Sequence, residues 1–399
     1  MKENPHIVFL KQTFQLKGGL EKYCLLLADV FSKEEFHVSL FTSSPPLEEK
    51  KDWHWVQIPI GVSKLSFLKM VFFDVAVTRK LRNNEYNNAI IFGFDRHFVR
   101  ADIYRAGNGC HKAYLQRRWK EASFFKKCSL FFNPLHWCTL LSEKKTYESI
   151  STEIICNSHF VRSEILHSYP KADPARLHVI HNGVDWVQLE PLFQAALHDK
   201  QCLKERYNVP KDALHIVLVG NEWYRKGVDI CLKALSILQE GLQRHHITIF
   251  TTIAGKERSP KKFIELAESM GLKNQVQFLP GHISTLNLFQ TADICVIPSR
   301  YDPFANITVE ALAMGLWVVT SRENGGFEVI QPGQNGFVSE ICSEEGIAEG
   351  ILSGIQKLML LVVTKQSIRM SARHLDFHHS LQQYIDLVRQ VAIKKNKMS

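Results

Sequence analysis

The chain has 399 residues, 45% hydrophobic and 22% charged, an ordinary globular balance in a length that points to two domains. Its net charge of +9 and pI near 9.0 call for an anionic partner: nucleic acid, a phosphate-bearing substrate or an anionic membrane. Nine cysteines without paired spacing argue against a disulfide framework, and no apolar run of about 18 residues is present to span a bilayer. The start, MKENPHIVFL, lacks the apolar core of an export signal, so free thiols in a reducing cytosol are expected.

Taken in order, 6–11 reads as a buried strand, followed by Gly18-Gly19 and an apolar-periodic helix to 31. Glycines at a helix N-terminus let the backbone approach a phosphate or sugar, or simply make a tight turn. Strands over 38–42 and 53–60, a helix over 67–81 and strands over 89–94 and 103–106 complete a doubly wound half. Asp95, Arg96 and His97 follow one of these strands at its carboxyl end. Residues 111–148 break the pattern. Lys112, Arg117, Arg118, Lys120, Lys126 and Lys127 interleave there with Trp119, Phe124, Phe125 and other aromatics. Basic residues beside aromatics fit an anionic membrane surface, or else two packed helices with a solvated basic face. No nucleic-acid motif accompanies them. A strand over 153–158, a helix over 160–168, a strand over 177–180 and the turn-rich HNGVD at 181–185 close this half, and a polar stretch at 194–201 reads as the entry to the next.

The second half opens with a strand over 215–219, the loop GNEWYRKG at 220–227 and a helix over 228–238. Arg225 and Lys226 stand just before that helix at a strand's carboxyl end, where two fixed cations suit a diphosphate, or are merely surface charge. A strand over 248–254 ends at Gly255, a helix over 261–270 follows, and 276–279 and 293–298 are further strands. The stretch SRYDPFANITVEALAMGLWVVT at 299–320 then forms loop, helix and strand. Its acids, Asp302 and Glu310, can accept hydrogen bonds from sugar hydroxyls. The helix between them offers N–H groups to an anion, and together these suggest a nucleotide sugar. Read alone, the two acids also fit an acid–base pair for glycoside hydrolysis. The tail over 357–395 looks helical.

The segments NEWYRKGVD, DICVIP, 301–315 and HNGVD resemble the family 4 retaining glycosyltransferases of the GT-B fold. Gly18-Gly19-Leu20, the stretch GFDRHFVRADIYRAGNGCH at 93–111 and the basic-aromatic segment after it resemble the lipopolysaccharide-core glucosyltransferases among them. The resemblance implies an α/β architecture: two Rossmann-like doubly wound domains facing a cleft. Residues 1–195 would bind the acceptor and 196–375 the nucleotide sugar, with a C-terminal helix over 376–399 that could cross back to the first domain. By position, Arg225 and Lys226 would hold the donor diphosphate, Glu310 the ribose and Asp302 the sugar. Backbone N–H groups of Phe304, Ala305 and Asn306 would lie near sugar and phosphate, with Gly18, Gly19 and Gly255 also at the donor. Asp302 stands where relatives commonly carry glutamate, one methylene longer. Relatives suggest an aspartate near position 108, where this chain has Asn108. Asp95, Asp102 and His111 are the substitutes for a base there, and Asp95, Arg96 and His111 would meet the acceptor.

The resemblance implies hexose transfer, glucose foremost, from a UDP-sugar to a lipopolysaccharide inner-core heptose. The site would be the cytoplasmic face of a bacterial inner membrane, reached through Lys112, Arg117, Arg118, Trp119, Lys120, Phe124 and Phe125. The cations and a helix N-terminus would stabilise the leaving diphosphate, which could itself take the acceptor's proton. No D-x-D motif or zinc-site spacing occurs, so neither metal nor cofactor is expected. Alternatives are another donor, a different lipid or teichoic acceptor, or a nucleotide-sugar-binding membrane protein without catalysis. An NAD-linked dehydrogenase is disfavoured by the missing GxGxxG.

Overall fold

Short β-branched and aromatic runs, apolar along their whole length, can be covered only if both faces are buried, the signature of parallel sheets flanked by helices. The computed structural model describes residues 5–14, 19–34, 36–46, 52–60, 65–281 and 284–397. Two compact units are present: Met1–His181 with Leu381–Ser399, and Asn182–Ser380. All strand pairs among the described residues are parallel. No helix among them is long and apolar enough to cross a membrane.

The first unit contains β1 (His6–Leu10), β2 (His37–Thr42), β3 (His54–Gln57), β4 (Ile90–Gly93), β5 (Ile103–Arg105), β6 (Glu153–Cys156) and β7 (Leu177–Val179), in the spatial order β3-β2-β1-β4-β5-β6-β7. The winding reverses between β1 and β4, and in such sheets ligands bind at the carboxyl ends beside the reversal. Phe9 packs there edge-on against Phe31, Phe92 and Phe94. The helix Phe377–Asn396 returns to this unit from residue 381, where the Arg105 guanidinium donates to the Tyr384 hydroxyl at 3.0 Å.

The second unit contains β8 (Leu214–Val219), β9 (Ile249–Gly255), β10 (Val276–Pro280), β11 (Ile294–Ile297), β12 (Trp317–Ser321) and β13 (Gly336–Ser339), ordered β10-β9-β8-β11-β12-β13. Its winding reverses between β8 and β11. One continuous core, including Trp317, Val319, Ile351 and Ile355, lies between sheet and helices. The polar stretch read as an entry segment is helical: 194–198 belongs to Trp186–His198, which starts five residues after His181 and buries Trp186, Leu189 and Phe193. The tail is three helices, Glu344–Met359, Lys365–Ser371 and Phe377–Asn396.

His215 on β8 is fully buried between the hydroxyls of Thr252 (2.8 Å) and Thr291 (2.9 Å). Burial pushes its pKa down to about 3, against the opposing pull of Asp293. The folded chain thus keeps this imidazole neutral, while the unfolded chain takes up a proton near pH 6.5. The unfolded state binds more protons between these values, so stability falls as pH drops from 6.5 towards 3, by at most roughly 1.4 kcal/mol per pH unit. His215→Gln should flatten that part of the stability–pH curve in urea titrations; an unchanged slope would assign the dependence elsewhere.

Candidate active site

The loops following β8 and β11 meet at the reversal of the second sheet, and Arg225, Lys226 and Asp302 converge there. The Lys226 ammonium donates to Asp302 Oδ2 at 2.7 Å, and Arg225 reaches the same oxygen at 3.4 Å and the Tyr301 carbonyl at 3.3 Å. Burial by itself would raise the Asp302 carboxyl. Lys226 and Arg225, with the Phe304 N–H, outweigh it and hold the pKa below the usual range. Arg225 also pairs with Glu222 at 2.7 Å.

Local geometry explains why these cations are fixed. Gly227 has φ of +73°, and a Cβ there would stand 1.9 Å from the Pro298 carbonyl oxygen, so only glycine lets the two loops touch. Gly255 has φ of +130° with the Gly220 carbonyl 2.1 Å from where a Cβ would be. It brings the end of β9 against the cation loop and contributes backbone closeness there. Arg300 grips Asp229 with two hydrogen bonds, 2.8 and 2.6 Å, while its own N–H donates to the Arg225 carbonyl at 2.9 Å. The loop after β11 therefore holds the loop after β8 by side chain and backbone together.

The helix Asn306–Ala313 starts beside this ion pair without a side-chain cap. Two N–H groups expected to face a ligand are engaged within the protein. Phe304 donates to Asp302, and Ala305 donates to Asn324 Oδ1 at 3.0 Å. The first-turn N–H groups of the helix begin at Asn306, and among them Thr308 N already donates to the Ala305 carbonyl at 2.9 Å. The Asn306 side chain is itself held by Asn182 at 2.5 Å. Asn324 is fully buried and also accepts from Gly326 N at 3.0 Å and donates to Thr320 Oγ1 at 3.1 Å. Sequence reasoning passed over it as a loop residue; an asparagine directly before Gly325-Gly326 was the available signal. Glu310 is half-buried about one turn into the helix, and its charge acts on Cys295, as does that of Lys226. Asp302, expected to grip a sugar, pairs with the two cations.

In the first unit, Asp95 follows β4 and accepts from Lys11 Nζ at 2.9 Å and Gln12 N at 2.9 Å. This ion pair sits at the β1–β4 reversal. Arg96 donates to Glu143 Oε1 at 3.0 Å and to the Gly109 carbonyl at 3.1 Å. Asn108 is exposed in the turn before Gly109. The His111 ring lies 3.0 Å from the His136 ring nitrogen. Burial, then Arg96 and His136, pushes the His111 pKa down to about 3, so it is neutral near pH 7. Gly19 begins the helix Gly19–Lys33, and Gly18 lies outside the described residues.

Asp102 does not join this group. It precedes β5, at the amino edge of the parallel sheet, and its carboxylate accepts from Ile91 N and Lys395 Nζ, each at 2.8 Å. It ties the sheet to the C-terminal helix and is withdrawn as a base. The basic-aromatic segment folds into three helices, His111–Glu121, Phe124–Phe131 and Pro134–Tyr147. Two of its cations turn inward: Lys112 donates to the Ser168 carbonyl at 2.7 Å, and Arg117 pairs with Glu164. Arg118, Trp119, Lys120, Phe124 and Phe125 are exposed, and the helix Phe124–Phe131 has no buried residue.

The comparisons with known proteins follow this division. Residues 199–358 match the model described as glycosyl transferases group 1, and residues 17–186 match Glycosyltransferase Family 4. The two glycosyltransferase models together cover most of the chain, and its fold is the GT-B fold. It is 23% identical over 377 residues to the lipopolysaccharide glucosyltransferase WaaG of Escherichia coli, covering 93% of this chain and 95% of that one. It is 26% identical over 350 residues to an uncharacterized glycosyltransferase of Methanocaldococcus jannaschii, covering 84% and 85% of the two chains. The crystal structure of WaaG superposes with a TM-score of 0.76 at 21% identity over 96% of this chain and 99% of that one. The Anabaena protein HepE, solved with UDP and glucose, gives 0.71 at 16% over 97% and 100%.

Among the described residues, no group of three or more His, Cys, Asp or Glu side chains is placed to hold a metal ion.

Proposed function

We propose that this glycosyltransferase moves a hexose, glucose foremost, from a UDP-sugar to a heptose of the lipopolysaccharide inner core, with retention at the anomeric carbon. The observation that carries this reading is the Arg225–Lys226–Asp302 cluster beside the start of the helix Asn306–Ala313, at the reversal of the second sheet. Glucose and the lipopolysaccharide acceptor are supported by what WaaG is named for, and UDP by the ligands of HepE.

On binding, the donor diphosphate takes the place of Asp302 as partner of Lys226 and Arg225. As the bond to the anomeric carbon lengthens, negative charge grows on the β-phosphate, and both cations and the first-turn N–H groups stabilise it. The leaving phosphate accepts the acceptor hydroxyl's proton on the face it departs from. Asn108 cannot take a proton, and Asp95 is committed to Lys11. The fixed cations do the work a metal would do, so excess chelator leaves the rate unchanged in this reading. Asp95, Arg96 and His111, at the carboxyl edge of the first sheet, meet the acceptor. Hydrolysis of a donor panel without acceptor tests the donor half: slow release of UDP from one UDP-hexose is expected, and tight UDP binding with no hydrolysis or transfer from any of them would leave only a binding protein.

The protein works at the cytoplasmic face of the inner membrane, held there by the exposed patch of the first unit. Phe124, Phe125 and Phe132 are 74, 84 and 77% exposed, with Phe131 and Trp137 in ring contact at 5.5 Å beside them. Arg118, Lys120 and Lys126 on the same helices face solvent. Phe124→Ser, Phe125→Ser and Phe132→Ser together should weaken binding to anionic vesicles at least about tenfold at any salt. Arg118→Ser with Lys120→Ser and Lys126→Ser should weaken it mainly at low salt. Vesicle binding equal to wild type in both variants would return the segment to a solvated surface.

A further inference from the structure

We infer that Glu143 is a positioning residue that holds Asn108 and His111 in place on the acceptor side, an inference that rests on the acceptor assignment proposed above. Its side chain is 1% exposed and its carboxylate is saturated. Oε1 accepts from Arg96 Nε at 3.0 Å and His111 N at 2.6 Å, and Oε2 accepts from the Tyr169 hydroxyl at 2.9 Å and Lys112 N at 3.3 Å. A carboxylate offers about four lone-pair positions, so none is left for a reacting proton. Glu143 acts through its neighbours.

Those neighbours define the turn. Arg96, held by Glu143, donates from its other arm to the Gly109 carbonyl at 3.1 Å, and the Tyr147 hydroxyl lies 3.4 Å from that same oxygen. Gly109 N closes the turn on the Ala106 carbonyl at 3.0 Å, with φ of +69°. Asn108 is the exposed residue of this turn. The helix His111–Glu121 begins immediately after it, and its first two N–H groups receive no cap from Cys110. Glu143 fills that role from the neighbouring helix, placing negative charge on the two leading N–H groups. His136 and Glu143 lie seven residues apart on the helix Pro134–Tyr147, hence on one face. That face grips His111 twice, at the ring by His136 and at the backbone by Glu143.

The test uses the full chain with donor and acceptor varied separately, and with nitrogen-15-labelled histidine spectra. Glu143→Gln removes the charge at nearly constant shape and leaves Arg96 without its counter-ion. The expected result is an acceptor KM raised about tenfold, a donor KM within about twofold of wild type, and displaced His111 ring signals beside unmoved His215 signals. Glu143→Asp, which keeps the charge, should recover at least half of the loss on a logarithmic scale. A purely structural role would lower kcat with the folded fraction and leave both KM values alone; that result, or an equal rise in both, overturns the inference. If Glu143→Gln does not fold, Tyr169→Phe removes one donor only and should raise acceptor KM about two- to threefold, and an unchanged value counts against it. If wild type transfers to no glycolipid, the proposed function fails, and the His111 spectra still decide whether Glu143 places that ring.

Discussion

Lys226→Ala is expected to lower transfer about 10²–10³-fold while the chain remains folded. The Lys226 side chain is 11% exposed and its ammonium sits 2.7 Å from Asp302, so its charge acts in a site with little water to screen it. In the proposed mechanism, truncation removes one of two positive charges from the place where the leaving diphosphate gains its negative charge. It also leaves Asp302 with Arg225 alone, at 3.4 Å, so the carboxylate repels the donor more strongly in the variant. Both consequences act on donor chemistry, and neither removes core packing. Circular dichroism should therefore stay near wild type, and thermal unfolding should fall only as far as the stranded Asp302 carboxylate requires, while kcat falls much further. Activity within a few-fold of wild type would show that Lys226 does not face the leaving group.

Gly227→Ala should cost more in stability than any surface change and abolish transfer with it. An alanine at φ of +73° carries roughly 1–2 kcal/mol of intrinsic strain. Its Cβ would also lie 1.9 Å from the Pro298 carbonyl oxygen, too close for any contact, so one loop must move. Either movement separates Arg225 and Lys226 from Asp302 and breaks the Arg300 N–H bond to the Arg225 carbonyl. Urea unfolding should shift to clearly lower denaturant, and donor hydrolysis and transfer should fall together. A stable, active variant would mean that the contact between the two loops is not required.

The alternation of strand and helix was legible from apolar runs and glycine-marked loops, because a parallel sheet buries its strands on both faces. The cation loop was legible for the same reason: Arg225 and Lys226 stand between a strand and a helix, which fixes them at the carboxyl edge. The state of Asp302 was not. Its pairing with Lys226 joins residues 76 apart, and no local pattern encodes it. The engagement of the Ala305 N–H was hidden for a similar reason, since Asn324 reaches it from another loop. Asp102 was within reach of sequence reasoning. A residue directly before a parallel strand lies at the amino edge, away from the ligand side. Lys112 and Arg117 looked like their exposed neighbours, and Glu143, beside Lys144 and Lys145, looked like one of a solvated charge run. Which charges turn inward on short amphipathic helices depends on partners such as Ser168, Glu164 and Tyr169, which lie on other elements.

Product stereochemistry with an extracted lipopolysaccharide core as acceptor decides whether the chain transfers a hexose with retention from a UDP-sugar. Incubation with UDP-glucose, followed by proton NMR of the anomeric signal of the new linkage, should show an α-glucoside that is absent with Lys226→Ala. A β-linked product, or no product from any UDP-hexose while UDP still binds, would contradict the account.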